Sequence, residues 1–264
     1  MRGVLVISHG SRSEEWVRLV DEAIAPLRAA LPYPVYGSFL ELVEGRLIQD
    51  GVDELERLGV TDLIVVPLFV SSGSTHVEEI GWALGAKPSC RCDTDLEPFR
   101  VNARVHYCDP IDADADVIEI LYEKMSPLSR RPAEELLLLV GHGSELDGFH
   151  DVWRGVLEEA AARLRERGGF AAADTVMLLP DEAEAKVRHW RERRPDLKPI
   201  VVPLFVSEGY FTTNVIPSRF AGYDVRYNGH SLLPHPLLTR WMARRVEEKA
   251  KELAKDDQAG EADL

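Results

Sequence analysis

Two histidines and one glutamate in the first half of the chain are of the types that bind a first-row divalent metal ion. His9 follows the apolar run "GVLVIS", Glu41 lies in "SFLEL", and His76 follows "DLIVVPLFV" and a loop of serine and glycine. Imidazole nitrogens and carboxylate oxygens bind such ions, and the same groups accept protons near neutral pH. Together these side chains could bind a metal, exchange protons, or do both.

Each of the three residues also has an ordinary structural role that the sequence leaves open. A histidine directly after a strand is often a capping or solvated residue, and a glutamate at a strand end is usually solvated. His76 could simply lie at the start of a helix that Ser74 or Thr75 caps. A shared site therefore requires that the fold bring all three side chains to one place.

The order of apolar and amphipathic segments predicts an α/β fold with parallel sheets. Short apolar runs such as Gly3–Ile7 are typical of strands buried on both faces, and segments with helical spacing follow them. Ser13 is the expected N-cap of a helix over Glu14–Ala30, in which Pro26 could produce a kink or an early end. Gly59 is expected to follow the end of the next helix.

A parallel sheet would place the three candidate ligands at one edge. Ligands of open parallel sheets bind beyond the carboxyl ends of the strands. His9, Glu41 and His76 follow, or lie near the end of, three successive predicted strands. We therefore expect them to meet there.

The second half of the chain repeats the first. "VGHGSE" matches "VISHGSR", and "IVVPLFVSEGYF" matches "IVVPLFVSSGST". The offset is 133 residues from His9 to His142 and 136 from Pro67 to Pro203, which indicates an internal duplication. Each copy predicts a parallel sheet flanked by helices. The expected organisation is an N-terminal lobe (1–125), a linker (126–135), a C-terminal lobe (136–250) and a charged tail (251–264).

Only one of the three candidate ligands has a clear equivalent in the second copy. His142 repeats His9, whereas the offset of 136 residues pairs His76 with Thr212. The segment "MLLPDEAE" offers no equivalent of Glu41 in register. We therefore expect the second lobe to have lost the metal chemistry.

Two aromatic residues in the second copy suggest a different role for it. Tyr210 and Phe211, in "EGYFTTN", are suited to covering a flat and largely apolar ligand. Packing of both rings in the core of the second lobe explains them equally well.

Two loops rich in hydroxyl groups and glycine, "SHGSR" and "SSGST", each precede a predicted helix. Backbone N–H groups and the helix N-terminus favour an anion there, and nearby arginines would add to the attraction. Helix capping and ordinary surface arginines are the alternative. The candidate anion-binding residues are Ser11, Arg12, Arg46, Ser72, Ser74 and, in the second copy, Arg219.

Composition limits the partners of the chain. Its 264 residues carry a formal net charge of −14, which argues against nucleic acid or an anionic membrane as the main partner. The apolar run at the start is too short for a signal peptide, and no run approaches a membrane helix.

Cys90, Cys92 and Cys108 are expected to be reduced thiols, which suits a cytoplasmic protein. The acidic "DPIDADADV" lacks the pattern of a calcium-binding loop.

The motifs in combination resemble one known family. "VISHGSR", "SFLEL", "VVPLFVSSGSTHVEEI" and the tandem repeat are similar to the sirohydrochlorin chelatases, the class II chelatases of sirohaem and cobalamin biosynthesis. The resemblance covers most of residues 3–246. It implies two flavodoxin-like or chelatase-like lobes around a central cleft. Its implied activity is a lyase reaction, the insertion of a divalent ion into a sirohydrochlorin-type tetrapyrrole without ATP and with release of two protons.

Carried over by motif, the metal ligands and proton acceptors of that family fall on His9, Glu41 and His76. The resemblance implies no cofactor besides the substrate metal, which is Co²⁺ or Fe²⁺ with Ni²⁺ as a further option, because this ligand set does not rank the three ions. Short members of the family dimerise and this chain resembles their fusion, so a monomer is expected. Which histidine binds metal and which accepts protons stays open.

Two other classes of function are alternatives to the chelatase. A non-catalytic metal- or tetrapyrrole-binding protein would keep the histidine pair without a route for exchangeable protons. A histidine phosphatase needs arginine immediately before His-Gly, where this chain has Ser8 and Gly141. The first class is the alternative that remains.

Overall fold

Strands and helices alternate along the chain, as the sequence pattern predicts. The structure is a computed structural model that describes residues 1–262. The first repeat contains β1 (Arg2–Ser8), α1 (Glu14–Ala30), β2 (Val35–Phe39), α2 (Ile48–Arg57), β3 (Asp62–Pro67), α3 (Thr75–Ala83), β4 (Arg104–Tyr107) and α4 (Ala115–Met125). The second contains β5 (Glu135–Gly143), α5 (Phe149–Gly168), β6 (Ala172–Leu179), α6 (Ala183–Arg193), β7 (Lys198–Pro203), a π-helical turn (Phe211–Val215) that continues into α7 (Ile216–Arg219), and α8 (Pro236–Ala262).

The strands form two parallel sheets, which confirms the predicted fold class. The first sheet has the order β2-β1-β3-β4 and the second the order β6-β5-β7. In the first sheet Val4 pairs with Val35 on one side and with Ile64 on the other. The central strands β1 and β5 are rich in Val, Ile and Leu because helices cover both faces of each sheet.

The strand order determines where a ligand site can form. The chain passes from β1 to β2 on one side and then returns to place β3 on the other side of β1. At such a reversal the loops after the two inner strands diverge and leave a crevice at the carboxyl edge of the sheet. His9 lies in the loop after β1, and His76 lies at the start of α3, the helix that follows β3.

Contacts divide the described chain into two units that differ from the two repeats at their last helices. The first unit contains residues 1–69, 76–110 and those from Thr239 onward, and the second contains 70–75 and 111–238. The last helix of the first repeat, α4, packs against α5 in the second unit. Most of α8 belongs to the first unit, where the Thr239 hydroxyl donates to the Ala23 carbonyl at 2.8 Å. The predicted lobe limits and the cleft between the lobes stay predictions.

The helix signals of the sequence are confirmed at particular residues. The Ser13 hydroxyl accepts a hydrogen bond from the backbone N–H of Trp16, as an N-cap does. Helix α1 continues through Pro26 to Ala30. Gly59 follows α2 with a φ of +87°, in the left-handed region that favours glycine.

One predicted strand of the second repeat is not formed. The segment "DVRYNG" matches β4 in sequence order, yet its pairing is a single bridge between Arg226 and Ile200. Gly229 turns the chain away with a φ of +76°, and the Asn228 amide donates to the Lys124 carbonyl at 2.9 Å instead of extending a ladder. The second sheet therefore has three strands.

The charged tail predicted at 251–264 is helical as far as Ala262, where α8 ends, and its last two residues lie outside the described residues. No helix in the described part of the chain is long and apolar enough to cross a membrane.

A long segment without regular structure, residues 84–103, joins α3 to β4 and is anchored on Glu78. The Glu78 side chain is only 3% exposed and accepts hydrogen bonds from Arg91 at 2.8 Å and 3.0 Å. The Arg91 bonds, against the opposing effect of burial and with help from Lys87, lower the pKa of Glu78 from 4.5 to about 2. Leu96 and Phe99 fix the rest of the segment on the core of the first sheet.

Two helical glycines should respond in opposite directions to alanine. A Cβ at Gly51, in α2, would lie 2.2 Å from the Ser38 hydroxyl and 2.7 Å from Leu5, so Gly51→Ala should lower the free energy of unfolding by about 1–3 kcal/mol. A Cβ at Gly155, in α5, would meet nothing within 4 Å, so Gly155→Ala should raise it by about 0.5–1 kcal/mol. Urea unfolding measures both, and equal effects of the two changes would contradict the packing described for α2.

The free energy of unfolding should depend on pH through the carboxylate of Glu78. Its pKa is lower in the folded than in the unfolded chain, so its contribution is complete above pH 4.5 and is lost as the pH falls toward 2. Glu78→Gln should cost about 2–3 kcal/mol near neutral pH and progressively less at about pH 3. Urea unfolding at both pH values tests this, with Glu166→Gln, an exposed carboxylate on α5, as the control. A cost for Glu78→Gln that does not change with pH would contradict the ion pair.

Candidate functional site

The structure brings His9, Glu41 and His76 together at the carboxyl edge of the first sheet. His9 directly follows β1, Glu41 lies two residues beyond β2, and His76 is the second residue of α3. The ring centroids of the two histidines are 4.9 Å apart and the rings are nearly perpendicular, at 74°. Glu41 Oε1 lies 3.7 Å from His9 Nδ1.

Both histidines expose the same ring nitrogen to a ligand. His9 Nδ1 donates to the backbone carbonyl of Gly10 at 3.2 Å, and His76 Nδ1 donates to Glu79 Oε1 at 2.6 Å. A carbonyl and a carboxylate only accept hydrogen bonds, so the neutral rings carry their proton on Nδ1. The lone pair on Nε2 of each ring is thereby available to a metal ion or a proton.

Glu79 is a site residue that the sequence reasoning missed. Its side chain is 12% exposed and also accepts a hydrogen bond from the Thr94 hydroxyl at 2.6 Å. Burial acts to raise the pKa of Glu79, but the bonds from His76 and Thr94 and the attraction of both histidines hold it below its ordinary value. The spacing of three residues from His76 on one helix was the available signal.

Glycine at position 10 permits the approach of the Glu41 backbone to His9. Gly10 has a φ of +102°, and a Cβ there would lie 2.0 Å from the Glu41 carbonyl oxygen. The backbone N–H of Glu41 donates to the His9 carbonyl at 3.1 Å, so the pairing of β1 with β2 continues one step beyond the strands. Any side chain at Gly10 would push Glu41 away from the histidine pair.

The three side chains are neighbours without yet having the geometry of a closed metal site. In the described part of the chain, no group of three or more His, Cys, Asp or Glu side chains is arranged to hold a metal ion. Glu41 is 52% exposed, which leaves its side chain room to turn toward the rings.

In the second unit a phenylalanine takes the place of His76. The rings of His142 and Phe211 have a centroid distance of 4.9 Å and an angle of 75°, nearly the values of the His9–His76 pair. His142 Nδ1 also donates to the next backbone carbonyl, that of Gly143, at 3.0 Å. The backbone position and hydrogen bond of His9 are therefore repeated at His142, but the ring packed against it is a phenylalanine instead of a histidine.

A partly buried tyrosine in each unit confirms this equivalence. The Tyr107 hydroxyl donates to the Val77 carbonyl at 3.3 Å, and the Tyr227 hydroxyl donates to the Thr212 carbonyl at 2.7 Å. Thr212 thus corresponds to Val77, and the pairing of Thr212 with His76 made from the sequence is wrong by one residue.

The pairing of Thr212 with His76 is wrong because the loops after β3 and β7 differ in length. Six residues separate Phe69 from His76, whereas five separate Phe205 from Phe211. Phe69 and Phe205 lie at the same place after β3 and β7, with ring distances of 6.1 Å to His76 and 5.8 Å to Phe211. The shorter loop moves the aromatic ring into the position of the imidazole.

The residue equivalent to Glu41 is also apolar. Gly143 has a φ of +79°, and a Cβ there would lie 2.3 Å from the Leu179 carbonyl oxygen, as a Cβ at Gly10 would meet Glu41. Leu179, at the end of β6, is 41% exposed. The second unit thus has leucine and phenylalanine where the first has glutamate and histidine.

Three predicted anion-binding residues, Ser11, Arg12 and Arg46, line a groove of about 820 Å³ in the first unit. Both terminal nitrogens of Arg46 donate to Asp21, at 2.8 Å and 2.6 Å, and this pairing raises the pKa of Arg46 against the effect of burial. An anion at Arg46 would therefore have to displace Asp21. The Ser11 hydroxyl accepts from the Ser13 N–H at 3.1 Å.

The remaining predicted residues belong to the second unit. Ser72 donates its backbone N–H to Asp112 Oδ1 at 2.7 Å, and its hydroxyl donates to the other oxygen of that carboxylate. The Ser74 N–H donates to the Ser71 carbonyl, and Arg219 pairs with Asp181 at 3.2 Å. Tyr210 is 70% exposed, so its ring is outside the core, and Phe211 packs against Phe205.

The chain is similar in sequence to proteins of one family. The family model described as CbiX matches residues 3–128 and 136–249. A probable sirohydrochlorin cobaltochelatase of Halobacterium salinarum is 29% identical over 178 residues, covering 62% of this chain and 58% of that protein. A sirohydrochlorin cobaltochelatase of Sulfolobus acidocaldarius is 27% identical over 124 residues, covering 47% of this chain and 89% of that protein.

Solved structures show the same fold. SirB from Bacillus subtilis with Fe³⁺ has a TM-score of 0.72 and 23% identity, and the match covers 94% of this chain and 95% of that one. The sirohydrochlorin chelatase SirB in complex with cobalt, from Bacillus subtilis subspecies spizizenii, has a TM-score of 0.69 and 21% identity, with coverage of 95% of each chain.

Restoring the lost residues of the second unit should create a second metal site. The double change Leu179→Glu and Phe211→His would place a carboxylate and an imidazole beside His142 in the geometry of the first unit. We expect the variant to bind one more equivalent of Ni²⁺ than the parent protein in calorimetric titration. The single changes serve as controls, because neither adds both missing ligand types. An unchanged stoichiometry in a folded double variant would contradict the equivalence of the two edges.

Proposed function

The chain belongs to the CbiX family, and on that premise we propose that it is a sirohydrochlorin chelatase that inserts Co²⁺ or Fe²⁺ into its substrate with release of two protons. The observation that carries the proposal is the pair of imidazoles at the β1–β3 crevice, whose Nδ1 atoms are hydrogen-bonded, with Glu41 Oε1 3.7 Å from His9 Nδ1. The two metals are those in the names of similar proteins, one of which is a sirohydrochlorin cobaltochelatase and another a sirohydrochlorin ferrochelatase.

Insertion exchanges two pyrrole protons of the tetrapyrrole for one divalent ion. The site must hold the ion weakly enough to release it and must provide bases for the protons. Neutral imidazole meets both requirements, because it binds first-row ions and takes up protons near neutral pH. Glu41 adds a negative charge that attracts the ion and offsets the charge of a protonated ring.

The hydrogen-bond partners of the two histidines divide the work between them. A positive charge on His76 would be stabilised by the Glu79 carboxylate at 2.6 Å, so His76 is the proton acceptor. His9 Nδ1 donates to a neutral carbonyl at 3.2 Å and lies farther from a carboxylate, 3.7 Å from Glu41 Oε1, so we assign His9 as the principal metal ligand. Thr94 keeps Glu79 oriented toward His76.

The second unit lacks the means for this chemistry. Leu179 and Phe211 stand at the positions of Glu41 and His76 and can neither bind an ion nor accept a proton. Insertion therefore belongs to the first unit. The exposed Tyr210 ring offers the second unit an apolar surface for a flat ligand.

The finer features of the function are part of the same proposal. The substrate metal is Co²⁺ or Fe²⁺, with Ni²⁺ as a further option, and no other cofactor takes part. Arg12 and Ser11, which follow His9 in the chain and line the groove of the first unit, bind the carboxylates of the tetrapyrrole. The protein acts as a cytoplasmic monomer without a nucleic-acid or membrane partner. The chain spans 58% of the length of the halobacterial relative, so the activity of that whole protein is carried over as a proposal only.

Removal of either imidazole in the first unit should abolish most turnover. We expect His9→Ala and His76→Ala each to lower the rate of insertion by about 100-fold or more, because a ligand or a proton acceptor is lost. The matched control is His142→Ala, which removes the repeated histidine from the second unit and should change the rate by less than about threefold, within the effect of an ordinary surface change. Absorbance of the tetrapyrrole with Co²⁺, Fe²⁺ and Ni²⁺ in parallel measures the rate.

Two outcomes would overturn the proposal. A His142→Ala variant as inactive as His9→Ala would place the chemistry in both units. Binding of metal and sirohydrochlorin without repeated turnover would identify a non-catalytic metal- or tetrapyrrole-binding protein, which is the alternative from another class.

A further inference from the structure

Two cysteine thiols meet in the segment 84–103, which follows the histidine pair in the sequence. Cys90 Sγ and Cys92 Sγ are 3.3 Å apart, and both side chains are partly exposed. Arg91, between them, is held on the buried Glu78. The pair is therefore fixed by an anchored residue rather than by chance proximity on a loose loop.

The segment itself is an addition to the repeat. It runs for twenty residues between α3 and β4, from position 84 to 103, whereas positions 220–225 make the corresponding connection between α7 and Arg226. Irregular segments longer than about 12–15 residues are uncommon in compact domains and are usually functional when they are ordered. The second repeat has no counterpart of the cysteine pair.

We propose that Cys90 and Cys92 form a two-thiolate chelating site for a thiophilic divalent metal ion, distinct from the His9–His76 site. Binding forms two metal–sulfur bonds and releases the two S–H protons to water, while solvent fills the remaining coordination positions. No electron is transferred. The inference does not rest on the proposed function, because it concerns other residues and other ligand atoms.

The sulfur separation favours a chelated ion over a disulfide. Two metal–sulfur bonds of about 2.3 Å at a tetrahedral angle place the sulfurs about 3.8 Å apart, so the pair needs to open by only about 0.5 Å. A disulfide requires about 2.05 Å, a contraction of more than about 1 Å between residues two positions apart. In the described structure none of the three cysteines is in a disulfide.

Burial and nearby charges keep the Cys92 thiol protonated in the absence of an ion. Burial, the bond to Cys90 and the carboxylates of Glu79 and Glu78 raise the pKa of Cys92 to about 12. A thiol of this kind supplies little thiolate for disulfide exchange near neutral pH. A divalent ion must displace this proton to bind, so its affinity for the pair should rise with pH.

Co²⁺ is the probe that separates the thiol site from the histidine site. Thiolate ligands give cobalt an intense charge-transfer absorption in the near ultraviolet that imidazole and carboxylate ligands do not give. We expect the reduced full-length chain, titrated with Co²⁺ in the absence of tetrapyrrole, to develop this band. Cys90→Ser and Cys92→Ser should each abolish it.

Two controls make the assignment specific. Cys108→Ser removes the third thiol, which is buried elsewhere in the first unit, and should keep the band. The double variant His9→Ala/His76→Ala should also keep it, even if insertion is lost. The absorption band therefore tests the thiol site, and the rate of insertion tests the histidine site.

A second measurement on the unmodified chain avoids any question of folding. Co²⁺ should protect Cys90 and Cys92 from alkylation, as mapped by mass spectrometry of tryptic peptides. The proposal is overturned if no band develops, if the band survives either serine change, or if both thiols alkylate equally with and without Co²⁺. It is also overturned if the reduced protein oxidises first, so that the peptides cleaved after Arg91 stay joined by a disulfide.

Discussion

The parallel pairing of β1 with β2 on one side and β3 on the other is the constraint on which the site depends. Val4 pairs with both Val35 and Ile64, so the three strands are held in one register and end at one edge. His9 and His76 then need only short loops to meet with ring centroids 4.9 Å apart. A shift of one residue along a strand would exchange the faces on which its side chains pack and would move its end away from the ends of its neighbours.

The two units share the backbone arrangement at the carboxyl edge of the sheet and differ in the side chains placed there. Both units have a histidine after the central strand whose Nδ1 donates to the next carbonyl, and a glycine that lets the neighbouring chain approach. The chemistry differs because Leu179 and Phe211 replace a carboxylate and an imidazole. A backbone frame of this kind is determined by strand pairing and glycine conformation, and so it tolerates exchange of the side chains at its edge.

Two adjacent glutamates on α3 connect the frame to the segment 84–103. Glu78 anchors the segment through Arg91 and Lys87, and Glu79 orients His76 while accepting a bond from Thr94. The residue that orients an imidazole is therefore itself held by the segment that carries the two cysteine thiols. The hydrogen bonds explain why a long irregular connection is ordered at this place in the fold.

The sequence by itself determined the α/β class, the duplication, the Ser13 cap and the meeting of His9, Glu41 and His76, because strand periodicity and local capping act over short stretches of chain. It did not determine that Glu79 accepts a hydrogen bond from His76 or that Asp21 accepts one from Arg46, because tertiary packing brings these partners together. Tertiary structure also decided that Phe211, and not Thr212, stands opposite His142. Counting along the chain assumes loops of equal length, whereas the fold places side chains by the strands and helices that hold them.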